Sequence, residues 1–300
     1  MEKLGLTSSI FYAKIHAGRA ATDAREERPV QVEETRNKHG WTLFLPRIGA
    51  ATLRLLGTFG SLAIFFGLAF VNIFKPRQLR EIVSQVYYIG ARSSLIVILV
   101  ALFTGMVLGL QLFYTLIKFG SEGVLGSAVS LSLVRELGPV LTAIMITARA
   151  GSAMAAEIGI LRISDQIDAL YTMRIDPMRY IVSPKLAASI ISFPLLTAFF
   201  DLVGIIGGYL TGVALLGINA GSYFYRVQSS VDLVDVRGGF IKSLVFAMIV
   251  STICCYQGYF CHMRTDSYGA KAVGLSTTSA VVISCVMILV ADYVVTSFLM

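Results

Sequence analysis

Apolar residues run along this chain in blocks too long for an ordinary soluble fold. Segment 93–117 contains no charged residue. Segment 124–148 is interrupted only by Arg135 and Glu136, 186–218 only by Asp201, 238–261 only by Lys242, and 272–300 only by Asp292. A helix needs about 20 mostly apolar residues to cross hydrocarbon. The pattern therefore predicts an all-α membrane protein with five transmembrane helices.

A sixth apolar run, 55–74, has basic residues on both sides: Arg47 and Arg54 before it, Lys75, Arg77 and Arg80 after it. Positive charge gathers on the cytoplasmic side of membrane proteins. This run is therefore expected to enter and leave on one face rather than cross. After it, Leu79, Ile82, Val83, Val86 and Tyr87 recur at helical spacing, which predicts an amphipathic helix lying in the interface. The expected organisation is a polar, disordered cytoplasmic tail (1–40), embedded and interfacial helices (41–92), and a five-span domain (93–300).

Composition agrees with a membrane protein. Hydrophobic residues make up 56% of the 300 and charged residues 14%, against about 25% charged in soluble domains. The net charge of +7 is spread through the tail and loops without the interleaved aromatics of a nucleic-acid surface. With the N-terminus inside, 20 of the 25 Lys and Arg residues fall on the cytoplasmic side. The C-terminus is then outside. The first 40 residues lack the apolar core of a signal peptide, and their acids argue against an organelle transit peptide.

Metal and catalytic chemistry find little support. The four cysteines lie in apolar runs without CxxC spacing, and the three histidines are far apart. There is no GxxxxGK[ST], GxSxG or HExxH pattern. The chain is expected to bind no cofactor, and any energy source to be supplied by another chain.

Charges inside the spans carry more information. Glu136 lies at the centre of 124–148, where an ionised group is costly and usually faces a cavity or partner. Arg135, next to it, points about 100° away and should have a different partner. Two readings stay open: a functional charge, or a pair that only locks the bundle. Lys242 and Asp292 both fall near the outer ends of their spans and suggest one polar cluster opening outward. No sequence argument selects a partner for Asp201. Glycines 105 and 109, and 204, 208 and 212, recur every four residues, the spacing of close helix packing within the chain or between copies.

The stretch 149–185 reads as a cytoplasmic loop carrying a short helix. Ser164 suits an N-cap, with Asp165 and Asp168 in the first turn, and the Asp176-Pro177 pair ends the helix. Ile167, Leu170 and Tyr171 form one apolar face, which would dock on the membrane surface or on a soluble partner.

Several of these stretches occur together in one order: Arg135-Glu136-Leu137-Gly138-Pro139, Ala148-Arg149-Ala150-Gly151-Ser152, Ala156-Glu157-Ile158-Gly159, and Asp165-Gln166-Ile167-Asp168-Ala169-Leu170 followed by Asp176-Pro177. In this the chain resembles the MlaE (YrbE-type) permeases of bacterial phospholipid ABC transporters, over roughly 75–300. The resemblance implies a homodimer of five-span subunits in the inner membrane. It also implies a separate ABC ATPase that binds the ATP, a STAS-domain subunit on the cytoplasmic side, and a periplasmic MCE-domain protein.

By the same resemblance, 164–174 would be the coupling helix, with Ser164, Asp165, Gln166, Ile167, Asp168, Leu170 and Tyr171 entering a groove of the ATPase. Arg135, Glu136, Lys242, Asp292 and Asp235 would be the intramembrane charges, and Leu108 and Gln111 would lie near the lipid pocket. The expected function is phospholipid movement between the inner membrane and a periplasmic carrier, maintaining outer-membrane lipid asymmetry. The alternatives are a proton-coupled secondary transporter using Glu136, Asp201 and Asp292, and a structural scaffold.

Overall fold

The computed structural model describes residues 44–73, 79–263 and 269–299; the expected tail 1–40 lies outside them. The chain divides into two units, 1–60 and 61–300. Described residues of the first form the start of helix α1 (Phe44–Ile73). The second contains the rest of α1 and five long helices: α2 (Leu79–Phe119), α3 (Glu122–Ile163), α5 (Met178–Leu215), α7 (Leu233–Tyr259) and α8 (Ala270–Leu299). Two short helices connect them, α4 (Gln166–Thr172) and α6 (Ala220–Ser230). Among the described residues there is no strand.

All five long helices have the length and apolar composition to cross a membrane, as the sequence pattern predicts. Their bounds differ from it in an instructive way. The amphipathic stretch at 79–87 is not a separate interfacial helix; it continues through a π-helical turn, Tyr87–Ala91, into the first span. The second span does not stop near 148 but continues to Ile163 through a π turn at Thr147–Gly151. Most of the supposed loop 149–185 is therefore helix. Glu136 consequently sits in the half of α3 nearer Glu122, not at its middle.

Two apolar cores hold the helices. One gathers Ile146, Met154, Phe193, Leu196, Phe246, Val250 and Ile288, all buried, from α3, α5, α7 and α8. The other gathers Val97, Leu125, Val129, Leu133, Phe200 and Tyr223 from α2, α3, α5 and α6. Large apolar side chains such as Leu95, Phe103, Leu202 and Leu289 remain exposed on the outside of α2, α5 and α8. Water would penalise such a surface and lipid does not.

The glycine repeat finds its use within the chain. A Cβ on Gly105 would overlap the carbonyl of Gly204, and one on Gly109 would come 3.2 Å from the Cα of Gly208. The backbones of α2 and α5 touch there, which only small residues permit.

Helix α6, not anticipated from hydropathy, begins at Asn219, whose side chain accepts from the Ser222 N–H at 3.2 Å. Its Tyr223 is buried and donates to the Ile205 carbonyl at 3.1 Å. Burial holds that phenol well above its usual range, so it remains a neutral donor.

Candidate functional site

The charged residues of α3, α7 and α8 converge on one cleft, and a proline helps build it. Pro139 has no N–H to offer the Arg135 carbonyl four residues earlier. The turn Leu133–Leu137 is π-helical, with the Gly138 N–H bonding back to the Leu133 carbonyl. The Arg135 carbonyl accepts instead from Lys242 Nζ at 2.9 Å. The neighbouring Val134 carbonyl lies against Gly239, where a Cβ would come within 2.8 Å. Gly239 and Lys242 are three residues apart on α7 and so present one face to this turn.

Lys242 is only 3% exposed, and its ammonium is 2.8 Å from Glu136 Oε2 and 3.1 Å from Asp292 Oδ1. The Glu136 contact is a hydrogen bond; the Asp292 contact is an ion pair whose carboxylate oxygen lacks hydrogen-bond geometry. Thr296 Oγ1, one turn beyond Asp292 on α8, donates to the Asp292 carbonyl at 2.7 Å and lies 3.4 Å from Glu136 Oε1. Arg135 turns away, as its position next to Glu136 requires, and donates through Nε to Asp235 Oδ1 at 2.7 Å. The other oxygen of Asp235 accepts from the Asp232 N–H at 3.3 Å, completing a reciprocal capping box at the start of α7. One carboxylate thus caps a helix and holds the arginine.

Arg135, Glu136, Asp235, Gly238, Gly239, Lys242, Thr296, Val234 and Leu299 enclose a cleft of about 250 Å³. Drug-sized ligand pockets run from roughly 300 to 1,000 Å³, so this one suits a polar head rather than a whole amphiphile. Leu108 and Gln111 are not brought to it: Leu108 packs against the core between α2 and its neighbours, and Gln111 is exposed. Asp201 is also elsewhere. Its buried Oδ1 has no hydrogen-bond partner and occupies the place a Cβ on Gly138 would take.

At the opposite end, residues read as loop charges prove to be ties between helices. Arg149 donates to Ser93 Oγ at 2.9 Å, linking α3 to α2. Lys185, buried at the start of α5, bonds Glu157 at 2.7 Å and Gln85 at 3.4 Å. Arg162, also buried, reaches Asp168 at 2.7 Å and His262 Nδ1 at 3.0 Å. Tyr171 and Tyr259 share a hydroxyl–hydroxyl hydrogen bond of 2.8 Å. The last two contacts fasten α4 to the ends of α3 and α7. Cys261 lies beside this group, its Sγ 3.6 Å from the Gly159 carbonyl, and burial pushes its thiol up.

These contacts correct the expected coupling helix. Ser164 does not cap α4; its hydroxyl donates back to the Ile160 carbonyl at 2.8 Å, closing α3. The N-cap is Asp165, in a left-handed conformation (φ 56°) without a side-chain cap bond. Asp168 answers Arg162 rather than only the helix dipole. Ile167 is fully buried against the chain itself, so it is not offered to a partner, while Leu170 and Tyr171 are half-buried. Gln166, Asp168 and Ala169 form the exposed side.

A bundle of five membrane-length helices, with a short helix tied under two of them and no ATP-binding motif in the chain, has the form of a transporter's membrane subunit. A family model described as Permease MlaE matches residues 82–298, and the chain belongs to that family. It is 41% identical over 230 residues to the intermembrane phospholipid transport system permease protein MlaE of Haemophilus influenzae, covering 75% of this chain and 86% of that one. It is 39% identical over 253 residues to a probable ABC transporter permease of Rickettsia typhi, covering 84% and 96%. To the chloroplastic protein trigalactosyldiacylglycerol 1 of Arabidopsis thaliana it is 31% identical over 301 residues, covering 99% and 85%. The chain is an ABC transporter permease and a multi-pass membrane protein.

Proposed function

We propose that this permease carries phospholipids between the bacterial inner membrane and a periplasmic MCE-domain carrier, driven by ATP hydrolysis on a separate ATPase. It works as a homodimer, with a STAS-domain subunit on the cytoplasmic side. The activity contributes to outer-membrane lipid asymmetry. The observation that carries this reading is the cleft around Lys242: charged groups held inside the spans, yet open enough to meet a lipid head. The phospholipid transport named for the Haemophilus relative supports it. The excess of positive charge in the tail and around 75–92 supports a cytoplasmic N-terminus and a periplasmic C-terminus. The exposed side of α4, with Gln166 and Ala169, is the surface offered to the ATPase.

The test is purification of the full chain from its own membranes, followed by ATP-dependent lipid transfer in proteoliposomes. A stoichiometric ATPase is expected, and Glu136→Gln is expected to lower transfer while the melting temperature stays within a few degrees. Isolation without any ATPase sinks the proposal. A loss of transfer fully matched by a loss of stability leaves Glu136 a structural charge only.

One observation favours a second reading. The unpartnered carboxyl oxygen of Asp201 inside α5 is what a proton-coupled transporter would need. Under that reading Asp201→Asn abolishes transport driven by a pH gradient without ATP; under the first, no such transport exists.

A further inference from the structure

Among the described residues the charge in the cleft does not close. Lys242 alone serves both Glu136 and Asp292, and Arg135 serves Asp235; two cations face three carboxylates. An uncompensated negative charge inside a membrane is costly. The unused donors and acceptors are also arranged unequally. Lys242 is only 3% exposed, hydrogen-bonded to Glu136 and the Arg135 carbonyl and ion-paired with Asp292, so its ammonium is closed to a ligand. Arg135 is 45% exposed and uses only Nε, leaving the two terminal nitrogens of its guanidinium free. Glu136 is 40% exposed, and a carboxylate accepts about four hydrogen bonds where its one short bond here is from Lys242.

We infer that this cleft selects phosphoglycerides with a primary ammonium in the head, the ethanolamine class, over anionic ones. The phosphodiester sits on the free fork of Arg135, a geometry suited to bidentate contact, and the ammonium sits on Glu136, so the zwitterion adds no net charge to a cleft already negative by one. An anionic head such as phosphoglycerol offers the same phosphate but adds a second net negative charge and brings no cation for Glu136. A quaternary choline head is zwitterionic too but has no N–H to donate, and ranks between them. The inference rests on the lipid-permease reading. A proton shared by Glu136 and Asp292 would close the balance without a lipid, and it predicts no preference among heads.

The experiment equilibrates the purified full-length complex with mixed micelles containing equal phosphatidylethanolamine, phosphatidylcholine and phosphatidylglycerol of identical acyl chains. Lipids retained after removal of the micelles are then quantified by mass spectrometry. The expected result is enrichment of phosphatidylethanolamine over phosphatidylglycerol by about fivefold, equal to about 1 kcal/mol, with phosphatidylcholine intermediate. Glu136→Gln should bring the ratio close to one, whereas Arg135→Gln should lower retention of all three together. Equal retention of the three heads by the unaltered protein, or enrichment of phosphatidylglycerol, overturns the inference. So does a Glu136→Gln variant that folds and keeps the original ratio. Retention of no lipid at all above a detergent blank instead overturns the lipid reading of the cleft. The ratio measured on the unaltered protein decides between these outcomes even when a variant fails to fold.

Discussion

Pro139 and Lys242 act on the same atom from different helices. The proline cannot supply the backbone hydrogen bond that the Arg135 carbonyl would receive in a regular helix, and the lysine supplies one at 2.9 Å. The site is therefore built as much from a gap in the main chain as from ionised side chains. Pro139→Ala returns an N–H to that carbonyl and favours a regular α turn. The expected outcome is an unchanged or higher melting temperature with impaired lipid transfer, because Arg135 and Glu136 rotate relative to α7. Full transfer in this variant would show that the π turn is incidental.

Removing Lys242 tests the ionic balance. Lys242→Met leaves Glu136 and Asp292 without a counter-charge and should cost about 3 kcal/mol, the low end for a broken buried pair because Glu136 is partly exposed. Adding Glu136→Gln and Asp292→Asn to the same chain should recover much of that loss. Thermal melts of the single and triple variants measure both, and a triple variant no better than the single one argues against charge as the cause.

Glycines 105 and 274 make a matched pair. Gly105→Ala drives a methyl into the Gly204 carbonyl, whereas the same change at Gly274 meets nothing within 4 Å. The first should abolish folded yield in detergent. The second should be neutral or raise stability by up to about 1 kcal/mol, the helix-propensity gain. Similar yields would contradict the backbone contact between α2 and α5.

Docking on α4 must be probed from its exposed side. Ile167→Asp places a carboxylate in a fully buried position and should destabilise the permease itself by at least about 3 kcal/mol. Ala169→Asp changes only exposed surface. It should leave the melting temperature alone and reduce the ATPase recovered on purification. Normal ATPase recovery with Ala169→Asp would move the docking surface off this helix.

Orientation is checked by single cysteines in a background free of native ones. Ser121, just after α2, and Ser222, in the first turn of α6, should react with an impermeant maleimide added to whole cells. Ser84 and Ser164, at the opposite end, should react only after lysis. Outside labelling at Ser84 would reverse the assignment.

The spans were legible because lipid imposes a simple demand: long runs without charge. What hid the rest was pairing. Arg149, Glu157, Arg162 and Lys185 look like loop residues in a linear reading, yet each is neutralised or hydrogen-bonded by a residue elsewhere in the chain. A helix carrying them can continue where hydropathy says it should stop. Separate partners for Arg135 and Glu136 followed from side-chain direction alone. The meeting of Lys242 with Glu136 needed the fold, since nothing local links α3 to α7. Helix α6 escaped because it is short and amphipathic, although Asn219 was a readable start signal. Leu108 and Gln111, carried over by resemblance, were not brought to the cleft.

The contact of Gly105 with Gly204 also limits how the protein can move. Two helices whose main chains touch cannot slide or roll past each other without collision, so α2 and α5 must travel as one stiff plank. Opening and closing of the cleft then falls to its own walls, α3, α7 and α8. Beside Lys242 their joints are ionic, and farther along the same helices the core of Ile146, Phe246, Val250 and Ile288 holds them together. A cross-link between α2 and α5 near these glycines would leave the working stroke free, whereas one between α7 and α8 beside Lys242 would jam it.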